Sequence, residues 1–256
     1  VGLYDGYVLK LSANGDFMWV KHFGSTSYDD AASLAIDKNG MTYITGNYSG
    51  ECYFVNNTDT TSLLIEGISD AFIAKIDPSG DFLWAKRIGS VQDSTFSESG
   101  RCIAVDSIGN VYTLGAFKGK VDFNPGPAVD TINCVGDYSL AIIKLDSVGN
   151  YIGTKVADGN RYIFGNAMTL DNNNNIYFTG HYSVVNTGIG GPILGTGAID
   201  MDPGPSSFPL IGFGNGSDAV FVAKWSQLSV VPLTLLNIEG THKKTYNLIS
   251  WKTANE

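Results

Sequence analysis

Residues 5–24, DGYVLKLSANGDFMWVKHFG, return at 70–89 as DAFIAKIDPSGDFLWAKRIG and, more loosely, at 139–158 as SLAIIKLDSVGNYIGTKVAD. Their first half returns once more as DAVFVAKW from Asp218. Lys10, Lys75, Lys144 and Lys224 mark the copies, at separations of 65, 69 and 80 residues by subtraction. Self-similarity at a long, nearly fixed period is the mark of a repeat architecture and outweighs any local propensity. Within each copy, two runs rich in β-branched and aromatic residues flank a polar turn such as Asn14-Gly15 or Ser79-Gly80. That is the grammar of a β-hairpin, with glycine supplying positive φ and Pro78 the fixed φ of an early turn position.

Between these copies lies a second repeated element: LAIDKNGMTYITG from Leu34, IAVDSIGNVYTLG from Ile103 and MTLDNNNNIYFTG from Met168. Asp37, Asp106 and Asp171 align in it, as do Tyr43, Tyr112 and Tyr177, and Gly46, Gly115 and Gly180. It too reads as a hairpin, and two hairpins per repeat make the four antiparallel strands of one β-propeller blade. The expected fold is therefore all-β, with about three and a half blades and an incomplete ring. Residues 1–24 form the outer hairpin of a preceding blade, and three blades follow at about 31–88, 100–156 and 164–225, the third lacking its fourth strand. The propeller region spans 1–228 and a separate segment 229–256.

Stacked blades bury both faces of each sheet, which accounts for nearly continuous apolar runs such as AFIAKI and CIAV. Trp19 and Trp84 hold equivalent positions and read as packing between blades, with Gly153 in their place in the third copy. The connections at 49–69, 118–138 and 183–217 carry their own signature, VDFNPGP at 121–127 and IDMDPGP at 199–205. Cys52, Tyr53 and Phe54 take the corresponding place in the first. Pro-Gly-Pro imposes a rigid turn, so each connection reads as a short extra strand ended by a fixed corner. The longest, containing GIGGPILGTG at 188–197, is the one expected to be mobile or to meet a ligand.

Composition narrows the function. A net charge of −9, with no basic cluster beyond Lys243-Lys244, repels a phosphate backbone and argues against nucleic acid. No stretch of 18 apolar residues marks a transmembrane segment. The chain opens on Val1 without a methionine or signal-like segment, and reads as an internal fragment. Cys52, Cys102 and Cys134 have no CxxC spacing, so neither a zinc site nor a thioredoxin-type motif is indicated. Cys102 reads as a small buried hydrophobe, whereas Cys52 and Cys134 can pair only if the fold brings them together.

Taken together, D-x-F-x-x-K-x-D-x-x-G-x-x-x-W-x-K, A-x-D-x-x-G-N-x-Y-x-x-G and VDFNPGP resemble the β-propeller repeat family (SBBP-type) of bacterial surface and secreted proteins. The resemblance covers residues 5 to about 225. The tail from Val230, VVPLTLLNIEGTHKKTYNLISWKTANE, resembles the opening of a β-sandwich segment that precedes the C-terminal sorting signal of Bacteroidetes proteins exported by the type IX system. The sorting signal itself is absent from the sequence. These resemblances imply an extracellular or outer-surface location and transfer no catalytic residues.

Candidate chemistry is sparse. DKNG at Asp37, DSIGN at Asp106 and DNNNN at Asp171 place oxygen-bearing side chains at alternating positions, as calcium loops do, but without the closing glutamate of an EF-hand loop. Asp171, Asn173 and Asn175 form the best calcium candidate, against the alternative that Asp and Asn favour turns by bonding their own backbone. Asp122, Asp200 and Asp202 stand at the Pro-Gly corners. His22, His181 and His242 lie at non-equivalent places without HExxH or triad-like neighbours, and no GxSxG or P-loop is present. Asp29-Asp30 and Glu98 are expected in loops. The reading is a non-enzymatic surface or secreted scaffold or adhesin that recognises glycan or protein through propeller loops, without a cofactor unless calcium. A glycan hydrolase or lyase, or its accessory propeller, is the alternative, because propellers host both roles.

Overall fold

The computed structural model describes residues 2–90, 97–159, 161–183, 198–211, 218–227, 237–243 and 246–252. Every element among them is a β-strand. A first hairpin pairs β1 (Gly6–Leu11) with β2 (Phe17–Gly24). The first full blade follows as β3 (Asp29–Ile36) and β4 (Thr42–Tyr48), then, after an inserted hairpin of β5 (Cys52–Val55) and β6 (Thr60–Leu63), as β7 (Asp70–Ile76) and β8 (Phe82–Ser90). The second blade comprises β9 (Ser99–Val105), β10 (Val111–Asp122), β11 (Thr131–Leu145) and β12 (Tyr151–Gly159). The third has β13 (Ile163–Leu170) and β14 (Ile176–Tyr182), an inserted β15 (Ala198–Asp200) and β16 (Pro209–Ile211), then β17 (Ala219–Trp225). The last described residues form one hairpin, β18 (Asn237–Lys243) with β19 (Tyr246–Lys252).

These are β-propeller blades, antiparallel in the orders β3-β4-β7-β8, β9-β10-β11-β12 and β13-β14-β17. Three apolar cores lie between them, one per interface. Along β7 the side chains alternate between two of these cores: Phe72, Ala74 and Ile76 pack toward the first hairpin, while Ala71 and Ile73 pack toward the second blade. In β11, Ala141 and Ile143 face back and Leu140 and Ile142 face forward in the same way. A period-2 pattern with both phases buried is why these strands read as unbroken apolar runs.

The inserted hairpins do what the repeat signature alone does not reveal: each reaches back to extend the outer strand of the preceding blade. Tyr53 of β5 pairs with Gly24, Asp122 of β10 with Gly89, and Asp200 of β15 with Asp158. The register is the same in all three, since Gly24, Gly89 and Asp158 are equivalent positions. Through these pairings hydrogen bonds run without a break from β3 to β16. Phe54, Phe123 and Met201, one residue further on, are buried and seat each insert on its neighbour. A bulge between Phe117 and Gly119, with φ of 71° at Gly119, separates the insert from the blade within the long β10.

Two other repeated residues also join blades. Trp19 donates its indole N–H to the Pro78 carbonyl (3.0 Å) and covers the turn at Gly80, and Trp84 covers the equivalent turn at Gly149. Lys10 donates to the same Pro78 carbonyl (3.0 Å), and Lys75 to the Ser147 carbonyl of the second blade (2.8 Å). The three cysteines are buried, free and in three different cores, so the fold does not bring Cys52 to Cys134. Asp29 and Asp30 open β3 instead of lying in a loop, and Asp29 and Glu98 are both buried. Their carboxyls are withdrawn from water because each sits where one blade meets the next.

Candidate functional site at the blade junctions

Antiparallel order gives a blade two different ends. The tight turns between strands one and two and between strands three and four share one end; the long connections and the crossings to the next blade share the other. The turn end is uniform. Asp37, Asp77, Asp106, Asp146 and Asp171 each accept, through Oδ1, the amides two and four residues on, at 2.8–3.1 Å. Ser12 does the same with its hydroxyl in the first hairpin. Asp171, Asn173 and Asn175 do come together, but by this turn geometry: Asp171 Oδ1 accepts both Asn amides and Oδ2 accepts Asn175 Nδ2 (2.8 Å). Partial burial pushes the Asp171 carboxyl up, but these bonds and Lys224 at 3.8 Å outweigh it and hold the group below its ordinary range. Asn174, with φ of 60°, takes the place glycine holds in the other turns.

The aligned Tyr and Lys form a brace across each blade. Tyr43 pairs with Lys75, Tyr112 with Lys144 and Tyr177 with Lys224, and each ammonium lies 4.8–5.1 Å from the ring centroid of its tyrosine. Tyr43 also donates to Asp37 (3.3 Å); burial, then the Asp37 charge, pushes its hydroxyl up to about 12. Two corner aspartates are spent likewise: Asp122 Oδ1 accepts the amides of Asn124 and Asp130, and Asp200 Oδ1 those of Asp202 and Phe208; Asp202 accepts Gly204 N through Oδ1, and its buried Oδ2 has no partner. Among the described residues, no group of three or more His, Cys, Asp and Glu is placed to hold a metal ion.

The connection end differs from junction to junction. At each junction a carboxylate gathers nearby backbone amides, exposed in Asp5, buried in Asp70 and half-buried in Asp158, but its origin moves. Asp5 accepts Gly2 N (3.3 Å) and Asp70 accepts Glu66 N (3.0 Å), each opposite a glycine, Gly24 or Gly89. In the third copy Ser139 replaces the aspartate and Asp158 replaces the glycine. Asp158 then accepts Val135 N (2.8 Å), Gly136 N (3.2 Å) and the Ser139 hydroxyl (2.6 Å). The carboxylate has crossed to the facing strand and performs the same task.

Above these carboxylates, short parallel bridges join Tyr4 to Tyr28, Ser69 to Ser97 and Tyr138 to Tyr162. Aromatic pairs therefore stand at the first and third junctions and serines at the second. Tyr4 and Tyr28 stack at 5.4 Å with 68% and 53% of their surface exposed. At the third junction Phe164 sits 5.4 Å from Tyr138, 5.3 Å from Tyr162 and 5.5 Å from His181. The Arg101 guanidinium lies 4.6 Å from the Phe164 centroid and that of Arg161 5.7 Å from Tyr162. Arg161 also pairs with Asp137 (3.7 Å), and the Tyr162 hydroxyl donates to Asp218 (2.6 Å).

No protein-family model matches the chain. It is similar to an uncharacterized WD repeat-containing protein of Acanthamoeba polyphaga mimivirus, 26% identical over 246 residues, covering 86% of this chain and 16% of that protein. The chain thus spans less than a fifth of the relative it matches. None of its four tryptophans is followed by aspartate, the dipeptide that names such repeats.

The junction cluster draws on residues 101, 137–138, 161–164, 181 and 218, and sequence reasoning did not assemble it. His181, which has no triad-like neighbours in the sequence, packs in the fold against the rings of Phe164 and Tyr162. The one available signal was a tyrosine directly before or near the strand start in two copies out of three, Tyr4 and Tyr138, with Tyr28 and Tyr162 opposite. His22 lies exposed on β2. The glycine-rich stretch 188–197 and the side chain of His242 lie outside the described residues.

Proposed function

We propose that the chain is a non-enzymatic recognition module that binds glycan or protein through the connection end of its blades, on the outside of the cell. One observation carries the reading: the same structural position presents tyrosines at two junctions, an exposed stacked pair at the first and a half-buried pair packed against Phe164 at the third, while the turn end spends its polar groups on its own backbone. Rigid tyrosines offer apolar area with a polar tip at low entropic cost, and flanking Arg101, Arg161, Asp137 and Asp218 supply directional hydrogen bonds. Sequence likeness to a WD repeat-containing protein supports a repeat module, and the resemblance to bacterial surface propellers supports the external location.

A glycan array probed with the chain, with and without calcium, tests it, and sugar release is assayed on each hit. Binding without release that is lost in Tyr138→Ala/Tyr162→Ala is the expected result. Released sugar would overturn the non-enzymatic assignment, and a hit untouched by the double substitution would remove this rim as its site. An array without hits turns the same variants to protein partners.

A further inference from the structure

The second junction holds an arrangement that recognition does not require. Glu98, just before β9, is completely buried, and neither of its oxygens receives a hydrogen bond from a donor. Asp70, at the start of β7, is also completely buried, and its Oδ1 has no partner either, while Oδ2 accepts Glu66 N and the Arg87 Nε–H. The two carboxyls are neighbours, with the Ser90 hydroxyl and the Arg87 guanidinium beside them. Arg87 is already shared with Glu66 (3.3 Å) and the Ser90 carbonyl (2.8 Å). Two buried carboxylates against one shared cation would leave a charge uncompensated, which burial makes strongly unfavourable. A single proton removes both difficulties, because a carboxylic acid is a donor and the facing Asp70 Oδ1 is a free acceptor.

We propose that Glu98 carries a proton at neutral pH and donates it in a hydrogen bond to Asp70, so that the junction between the first and second blades is latched by a shared proton. Burial, and then the Asp70 charge, raise the Glu98 carboxyl from 4.5 to about 8. The other titratable groups facing the pair are Arg87 on β8, Glu66 ahead of β7, the Tyr48 hydroxyl on β4 and the Cys134 thiol on β11. None of them supplies a second cation. The neighbouring junctions show that the latch is local. At the position of Glu98 the first junction has Asp29, whose oxygens accept Ser25 N (2.6 Å) and the Ser25 hydroxyl (2.8 and 3.0 Å), and the third has Ile163.

The sign follows from linkage. Between pH 4.5 and about 8 the folded chain keeps a proton that the unfolded chain has released. The stabilisation is therefore complete below the lower value, declines as pH rises, and is gone above the upper one. The contact it holds is the pair of bonds from Glu98 N to the Ser69 carbonyl (2.8 Å) and from the Ser69 hydroxyl to the Glu98 carbonyl (3.3 Å).

Thermal unfolding of the chain and of Glu98→Gln from pH 5 to 9 tests this, since glutamine keeps the size and an N–H donor but cannot titrate. The wild type is expected to lose roughly 5–10 °C in Tm across that range, and the variant to lose markedly less and to be the more stable at pH 9. Infrared spectra of the wild type should show the carbonyl stretch of a buried carboxylic acid at pH 6 that disappears by pH 9 and is missing in Glu98→Gln. This reading does not depend on how well the variant folds. An equal slope in both proteins, no acid carbonyl at pH 6, or a Tm that follows calcium at fixed pH would overturn the proposal.

Discussion

Strands β11 and β17 hold the same place in consecutive blades and carry the same apolar alternation, yet they meet different surroundings. Leu140 and Ile142 of β11 are fully buried against the third blade, whereas the equivalent Val220 and Val222 of β17 are 83% and 68% exposed. Their other phases are alike: Ala141 and Ile143 are buried against the blade before, and so are Phe221 and Ala223. The first hairpin mirrors this, with Val8 buried forward and Tyr7, Leu9 and Leu11 exposed behind. A blade strand is thus half of two cores, and its stability belongs to interfaces more than to its own sheet.

The sharpest way to break that comparison is to truncate equivalent side chains. Ile142→Ala should cost about 2–5 kcal/mol, because it opens a cavity in a closed interface. Val222→Ala should stay within about 0.5 kcal/mol. Denaturant unfolding of the two variants measures both, and equal costs would mean that β17 is covered in solution.

The next test concerns the migrating carboxylate. Asp158→Gly should cost about 1–3 kcal/mol by stranding the amides of Val135 and Gly136. Adding Ser139→Asp recreates the pair found in the first two repeats, Asp70 with Gly89, and should recover most of that loss. Ser139→Asp alone should do harm, since it sets two carboxylates side by side. A double variant no better than Asp158→Gly would show that the two arrangements are not interchangeable.

How far these features were legible in the sequence follows from the range of the interactions. Hairpin turns are local: Asp106 and Gly109 sit three residues apart, so their partnership is written in the repeat, and the blades could be counted from it. The inserts were visible only as strand and corner, because pairing of Asp122 with Gly89 crosses from one blade to another and leaves no periodic trace. Asp29 was misplaced, and the burial of Glu98 in its loop unforeseen, for a related reason. Carboxylates are ordinarily exposed, and only the meeting of two blades makes a buried carboxyl tenable. The aromatic junction was hidden because its members lie far apart in the chain and gain meaning only when assembled. The repeated lysines lie between these cases, plain as markers and opaque in purpose until Lys75 was seen to reach Ser147.

That lysine gives a smaller effect. Lys75→Met keeps the apolar stem but removes the contact with Tyr43 and the bond to the second blade. It should cost about 1–2 kcal/mol by denaturant unfolding. Lys10→Met, whose ammonium is 5.9 Å from Trp19 in a more exposed setting, should cost less. The ratio of the two measures how much of the brace depends on burial.

The smallest effect expected is at the Asp171 turn. Its carboxylate already accepts two amides and a side-chain N–H, in the geometry that Asp106 and Asp146 repeat without a run of asparagines. If those bonds are its whole purpose, Asp171→Ala should cost about 0.5–1 kcal/mol, the same in calcium and in chelator, and chelation should leave the wild-type Tm unchanged. Asp146→Ala is the control, because it removes an equivalent turn carboxylate where Ser147 and Val148 offer no second amide side chain. A loss at Asp171 that exceeds the loss at Asp146 only when calcium is present would mean that Asp171, Asn173 and Asn175 bind the ion, and that one blade turn has acquired a ligand the others lack.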